Sequence, residues 1–158
     1  MNSKKIKTIV FVTVIGLALI IAGSASAEAS DTRFECGPEG PAMTTDPGTW
    51  SFPDGNIHIR GMKQFSRVDC PDSRQVGTNY ITVNANWDQS YHGPMWGTFT
   101  FISDEGGKWT GTWNGQLTEN GSWYNASGKG QGIYAGMKLW VDKEYDSTSM
   151  RILDPHGE

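Results

Sequence analysis

The stretch GKWTGTWNGQL, residues 107–117, alternates two kinds of side chain. One face would carry glycine and apolar residues: Gly107, Trp109, Gly111, Trp113, Gly115 and Leu117. Polar residues fill the other face, and a period of two is typical of a half-buried β-strand. Because glycine weakens a strand, glycines on the apolar face indicate room for neighbouring rings or a bend at a barrel corner. The stretch predicts a core strand, and the alternative is that its two indoles line a ligand cavity.

The same alternation recurs on both sides of residues 107–117. It predicts further strands at Asn56–Phe65, Gly77–Asp88, Met95–Ser103, Trp123–Gly130, Ile133–Val141 and Ser149–Leu153. Tight turns separate these strands, and Asn120-Gly121 is a strong hairpin signal. After the N-terminal leader, no segment has the apolar periodicity of a helix. We therefore expect an all-β domain, an antiparallel up-and-down β-barrel of about seven or eight strands, with a β-sandwich as the alternative.

The N-terminal leader has the features of a secretory signal peptide. Three lysines, Lys4, Lys5 and Lys7, precede an apolar run at residues 9–22, and Ala25-Ser26-Ala27 forms a small-residue cleavage site. We expect residues 1–27 to be removed by cleavage after Ala27 and the product to be exported, to the periplasm or the extracellular medium. Of the remainder, residues 28–55 lack periodicity and predict an irregular N-terminal segment, and residues 56–158 predict the barrel domain.

The charge of the chain narrows its possible partners. The sequence has 13 Lys and Arg against 17 Asp and Glu, and loss of the three leader lysines leaves 10 against 17, a net charge of −7. An acidic chain with scattered basic residues argues against nucleic acid or an anionic membrane as a partner. We also expect no membrane span once the leader is removed, because no other apolar run is long enough.

The exported chain would contain two cysteines, Cys36 and Cys70. Oxidising compartments permit disulfides, so we expect these two residues to pair. Such a bridge would tie the irregular N-terminal segment to the barrel. The alternative is a pair of free thiols.

The sequence contains none of the common local patterns of a catalytic or metal-binding site. The three histidines, His58, His92 and His156, are far apart and lack carboxylate or cysteine partners at ligand spacing. The glycines of residues 128–136 do not match the dinucleotide fingerprint, and no serine stands in a nucleophile elbow. We therefore predict no metal and no cofactor.

Four aromatic side chains are expected on the outer face of the predicted strands: Trp96, Trp123, Tyr134 and Trp140. Monomers rarely leave such an aromatic patch exposed. It would serve either as a subunit interface in a homo-oligomer or as a platform for sugars or other flat ligands. The alternative is a one-residue slip of a strand register, which would turn the aromatic side chains inward.

Three motifs carry a resemblance to a known family: WGTF at residues 96–99, GGKWTGTWNG at residues 106–115 and GKGQGIYAGM at residues 128–137. They resemble motifs of secreted bacterial β-barrel proteins that are similar to the allene oxide cyclase and dirigent barrels. The resemblance covers about residues 77–141 and implies a barrel that holds small apolar molecules. The plant members steer ring closure or coupling of such molecules, often as trimers. Their catalytic residues match no positions here, so the activity is not carried over.

Three functions follow as hypotheses. The first is a barrel that binds a small apolar ligand in its lumen, lined by Phe99, Phe101, Trp109, Trp113, Tyr124 and Leu139. The second is a cyclase or isomerase that uses the same cavity, which needs an ionisable group in the lumen with a shifted pKa. The candidates for that group are Arg60, His58, Asp88 and Glu105. The third is a structural or interaction protein that uses the outward tryptophans.

Overall fold

The leader lies outside the part of the chain that the structure describes. The computed structural model describes residues 29–37 and 39–157. The predicted signal peptide and its cleavage after Ala27 therefore remain predictions. Within the described ranges, no helix has the length and apolar character needed to cross a bilayer.

The described chain forms one antiparallel sheet of ten strands. The strands are β1 (Ser30–Cys36), β2 (Met43–Asp46), β3 (Thr49–Ser51), β4 (Ile57–Val68), β5 (Gly77–Trp87), β6 (Gly93–Ser103), β7 (Lys108–Thr118), β8 (Gly121–Gln131), β9 (Lys138–Glu144) and β10 (Ser147–Asp154). Short 3-10 turns lie at Pro53–Gly55, Ser73–Gln75 and Gly132–Tyr134. From β4 to β10 each strand pairs with the next one in the chain. The predicted all-β, antiparallel up-and-down architecture is confirmed.

The N-terminal chain meets both edges of the strands β4–β10. Strand β1 pairs with β10, and strands β2 and β3 pair with β4. Among the described residues, no continuous ladder of hydrogen bonds closes the sheet into a ring. Two links cross the remaining gap: the disulfide between Cys36 and Cys70, and a hydrogen bond of 3.0 Å from the Gly40 N–H to the Arg67 carbonyl. By the chain-entropy model a disulfide across this span contributes about 4 kcal/mol.

Residues 28–55 differ from the irregular segment expected from the sequence. They contain β1, β2 and β3, which belong to the same sheet as the rest of the chain. Strands β2 and β3 are only four and three residues long, and prolines and glycines flank them, whereas β1 is seven residues long and is placed by its pairing with β10. Gly48, with φ +69°, turns the chain between β2 and β3, where a Cβ would lie 2.4 Å from the Arg60 carbonyl oxygen.

Most of the buried apolar side chains come from the inward face of β4–β10. They include Ile57, Ile59, Met62, Val83, Phe99, Phe101, Trp109, Trp113, Leu139, Val141, Met150 and Ile152. Along β5 and β6 the inward positions follow the alternation expected from the sequence, although Gly61 interrupts it in β4. Its φ of +70° accompanies a register shift between Ile59 and Met62. This bulge returns Met62 to the inward face.

The prediction that Tyr134 lies on the outer face is wrong. Tyr134 is 3% exposed and stacks on Trp109, with ring centroids 5.0 Å apart. The physical reason is that β9 begins at Lys138, because Gly132 adopts φ +66° and starts a 3-10 turn. The period of two therefore does not extend back to Ile133, which is 62% exposed.

Candidate functional site

The inward faces of strands β4–β10 surround a cavity of about 310 Å³. Each of the seven strands contributes to its wall, so the sheet must curl around it. Most of the lining is apolar, and Ile81, Val83, Phe99 and Val141 are typical of it. Small-molecule sites generally have this character, an apolar wall that carries few polar groups.

Five of the six residues expected to bind a ligand lie in the cavity wall: Phe99, Phe101, Trp113, Tyr124 and Leu139. The sixth, Trp109, is fully buried in a packed cluster outside the wall. Its indole stacks on Tyr134, and its Nε1 donates to the Arg74 carbonyl oxygen at 3.2 Å. Because both the ring and its polar atom are already satisfied, Trp109 serves the fold and not the cavity.

Trp113 owes its position in the wall to a glycine on the neighbouring strand. Gly97 pairs directly with Trp113, and a Cβ at Gly97 would lie 2.9 Å from the indole Nε1. That Nε1 donates to the Thr82 carbonyl oxygen at 3.3 Å. The ring of Tyr124 meets the Trp113 ring edge-on at a centroid distance of 6.1 Å. The two aromatic side chains form a fixed corner of the cavity.

An acidic group reaches this corner from the N-terminal chain. The Tyr124 hydroxyl donates to Glu39 Oε1 at 2.6 Å, a contact across 85 residues of sequence. Burial raises the pKa of the Tyr124 phenol, and the neighbouring charge and hydrogen bond of Glu39 raise it further. The phenol is therefore a hydrogen-bond donor at neutral pH and not a base.

The polar part of the wall was not identified from the sequence. Glu39 comes from a stretch without periodicity, and Gln75 comes from the Ser73–Gln75 turn between β4 and β5. Asn79 occupies an inward position near the start of β5. Alternation along β5 could have placed Asn79 on the face that carries Ile81. No local pattern marks Glu39 or Gln75, because their positions depend on contacts distant in sequence.

The four candidates for an ionisable group in the lumen lie outside the cavity wall. Arg60 is exposed and donates to the Ala85 carbonyl oxygen at 2.8 Å. Asp88 accepts hydrogen bonds from backbone N–H groups in its own turn, and Glu105 accepts one from the Tyr134 hydroxyl. His58 lies on β4 between the inward residues Ile57 and Ile59.

The three tryptophans Trp96, Trp123 and Trp140 lie on the outer face but do not form one continuous patch. Arginine side chains cover two of them: Arg60 lies 5.2 Å from the Trp96 ring, and Arg151 lies 5.2 Å from the Trp140 ring. Polar outward residues of β7 and β8 separate the rings: Asn114, Asn125 and Ser127. The outer face is therefore mixed in character.

Comparisons of this chain with protein-family models, curated proteins and solved structures found no match. Across residues 29–37 and 39–157, no group of three or more His, Cys, Asp or Glu side chains could hold a metal ion. The functional argument therefore rests on the cavity and on the groups in its wall.

Proposed function

We propose that this protein binds a small, mostly apolar molecule inside the curled sheet. The observation that carries the proposal is the cavity of about 310 Å³ with its predominantly apolar wall. A fully packed interior would have excluded a ligand, whereas this volume is in the range of small-molecule sites. The motifs of residues 77–141 resemble secreted bacterial barrels that are similar to the allene oxide cyclase and dirigent barrels, and membership of that group would fit the proposal, because the plant barrels hold apolar molecules.

We propose in addition that the protein acts outside the cytoplasm. The disulfide between Cys36 and Cys70 supports this location, because disulfides persist in oxidising compartments. The signal-like leader supports it independently. A binding protein in such a compartment would sequester or carry a poorly soluble molecule.

A cyclase or isomerase is the second candidate, and one observation favours it. The carboxylate of Glu39 and the phenol of Tyr124 meet in the cavity wall, so acid–base groups reach the space that a ligand would occupy. The Tyr124 hydroxyl donates to the Glu39 carboxylate and holds it in the wall, so Glu39 is the group that would accept a proton from a ligand. Loss of turnover in Tyr124→Phe, with ligand binding retained, would support catalysis.

Binding of an apolar dye tests the proposal that the cavity holds a ligand. The purified protein is titrated with N-phenylnaphthylamine, and dye and tryptophan fluorescence are recorded. We expect saturable binding by the unmodified protein. The substitution Ala126→Phe adds a ring to the cavity wall and should lower the affinity at least about tenfold, since it fills space that the ligand needs.

The neighbouring position provides the matched control. Ser127→Phe adds the same ring to the outer face of the same strand, and the dye affinity should not change. Ala126→Leu is a smaller addition that keeps the test decisive if the phenylalanine variant unfolds. Equal dye binding by the inner and outer variants would place the dye outside the cavity and contradict the proposal.

A further inference from the structure

Three buried polar atoms in the cavity wall have no hydrogen-bond partner among the described residues. They are Gln75 Nε2, Asn79 Oδ1 and Trp87 Nε1. All three side chains line the cavity, and Gln75 is only 2% exposed. Buried polar groups are ordinarily hydrogen-bonded, because an unsatisfied one loses the hydration it had in water. Unpartnered atoms in one wall point to polar groups on the ligand.

These atoms lie near the two ends of one strand, β5. Gln75 precedes β5 by two residues and Asn79 is its third residue, whereas Trp87 is its last. Asn79 and Trp87 are eight residues apart, which corresponds to about 26 Å along an extended strand. Between them, Ile81 and Val83 also line the cavity. The wall along β5 is thus polar, then apolar, then polar.

The charged residues of the cavity wall limit the charge that the ligand's polar group can carry. None of the described residues that line the cavity is Lys, Arg or His. The carboxylate in the wall, Glu39, accepts its hydrogen bond from Tyr124. An anionic ligand group would therefore have no counterion in the wall and would share the cavity with a carboxylate, which is unfavourable.

The hydrogen-bonding types of the first two groups are complementary. The Gln75 Nε2 is a donor and the Asn79 Oδ1 is an acceptor. A hydroxyl or a primary amide both accepts and donates, so it satisfies the two atoms at once. With the Asn79 amide in this orientation, a carboxylate, which only accepts, would leave the Asn79 oxygen without a donor.

We propose that the ligand is a neutral chain-like molecule whose hydroxyl or amide end binds Gln75 and Asn79. Its apolar chain lies along Ile81 and Val83, towards the Trp87 end of β5. This assignment rests on the proposed function, because it describes the chemistry of the same cavity.

Competition among four compounds of one chain length tests the assignment. Dodecanol, dodecanamide, dodecanoate and dodecane each displace N-phenylnaphthylamine from the purified protein at pH 8. We expect the alcohol and the amide to bind at least about tenfold more tightly than dodecanoate. The affinity of dodecanoate should rise as the pH is lowered towards the pKa of its carboxyl group, because the neutral acid can donate.

Two sets of variants assign the preference to named side chains. Gln75→Leu combined with Asn79→Leu should remove the preference for dodecanol over dodecane while dodecane still binds. Gln64→Leu is the matched control, since Gln64 also lines the cavity but its amide already donates to Thr44 Oγ1 at 3.1 Å. This variant should keep the preference.

The outcomes separate the two proposals. If dodecane and dodecanol bind and dodecanoate binds equally well at pH 8, the polar assignment is overturned and the binding function stands. The same holds if the double leucine variant keeps the preference for the alcohol. If none of the four compounds displaces the dye and the dye itself binds outside the cavity, the proposed function fails and the assignment fails with it.

Discussion

Phe99 fits the inward face because two glycines lie across from it. Phe99 pairs with Gly111 on β7, which pairs in turn with Gly128 on β8. A Cβ at either glycine would lie 2.7 Å from an atom of the Phe99 ring. The missing side chains therefore provide the space for the ring, as the glycine pattern of residues 107–117 predicts. At this scale, cavity shape depends on single Cβ atoms.

Substitution of Gly111 by alanine should be strongly destabilising. The added Cβ would lie 1.9 Å from the Ser127 carbonyl oxygen as well as against Phe99, so backbone must shift. We expect the free energy of unfolding to fall by about 2–3 kcal/mol, as for other overpacked cores. Urea denaturation followed by tryptophan fluorescence measures the change.

A glycine with open space around it is the control for this substitution. At Gly37 a Cβ would meet no atom within 4 Å. Gly37→Ala should change the free energy of unfolding by less than about 0.5 kcal/mol. Equal effects at Gly37 and Gly111 would show that close packing around Phe99 is not the cause.

At the scale of elements, the Ser73–Gln75 turn connects the cavity to the core. Asp72 precedes the turn and accepts from the Arg74 backbone N–H at 3.0 Å and from Arg74 Nε at 2.9 Å. The Arg74 carbonyl oxygen accepts from Trp109 Nε1. Gln75, the last residue of the turn, lines the cavity. The Asp72–Arg74 pair thus holds the turn that presents Gln75.

This pair predicts a pH-dependent stability. Burial alone would raise the pKa of Asp72, but the hydrogen bonds and charge of Arg74 lower it below its ordinary value of 3.8. A lowered folded-state pKa stabilises the protein above the unfolded pKa, and this contribution is lost as the pH falls through the folded value. Asp72→Asn should lower the free energy of unfolding by about 1–2 kcal/mol at pH 7. Urea titrations at pH 7 and pH 3 should show the difference narrowing at pH 3.

An exposed acid provides the comparison. Asp146, in the turn between β9 and β10, is exposed. Asp146→Asn should alter the free energy of unfolding by less than about 0.5 kcal/mol at either pH. A loss at Asp72→Asn that stays constant from pH 7 to pH 3 would contradict the assigned role of its charge.

The strands that could be predicted from the sequence are those in which apolar and polar residues alternate locally. Strands β4–β10 each contain a run whose period of two is visible in the sequence, and hairpin turns join most of them. Strand β1 has no such support, because its position depends on pairing between Ser30 and Asp154 at the other end of the chain. Tyr134 was misplaced because one turn beginning at Gly132 ended the alternation.

The same limit applies to the candidate site. Strand alternation placed Phe99, Phe101 and Leu139 inward, and these side chains line the cavity. The period of two predicts the same inward face for Trp109 and Trp113, because both stand at inward positions of β7. Only the packing of Trp109 against Tyr134 distinguishes the two side chains. Glu39 meets Tyr124 across 85 residues, so its role follows from the way the N-terminal chain packs against the sheet and not from any local motif.

At the scale of the whole molecule, the N-terminal chain contributes both to the sheet and to the cavity wall. This chain pairs with β10 and then with β4, and the disulfide between Cys36 and Cys70 fixes it across the gap between those strands. The same segment delivers Glu39 to the wall. The apolar cavity therefore takes some of its polar groups from the segment that bridges the two edges of the sheet.

Methyl NMR of the protein with dodecanol tests most directly whether the cavity holds a ligand. Isoleucine methyl groups offer an internal comparison: Ile81 lines the cavity, whereas Ile102 and Ile133 are 45% and 62% exposed. We expect saturable chemical-shift changes at Ile81 and at the Leu139 and Val141 methyl groups, with Ile102 and Ile133 unchanged. Changes confined to Ile102 and Ile133, or no change at any methyl group, would contradict binding inside the sheet.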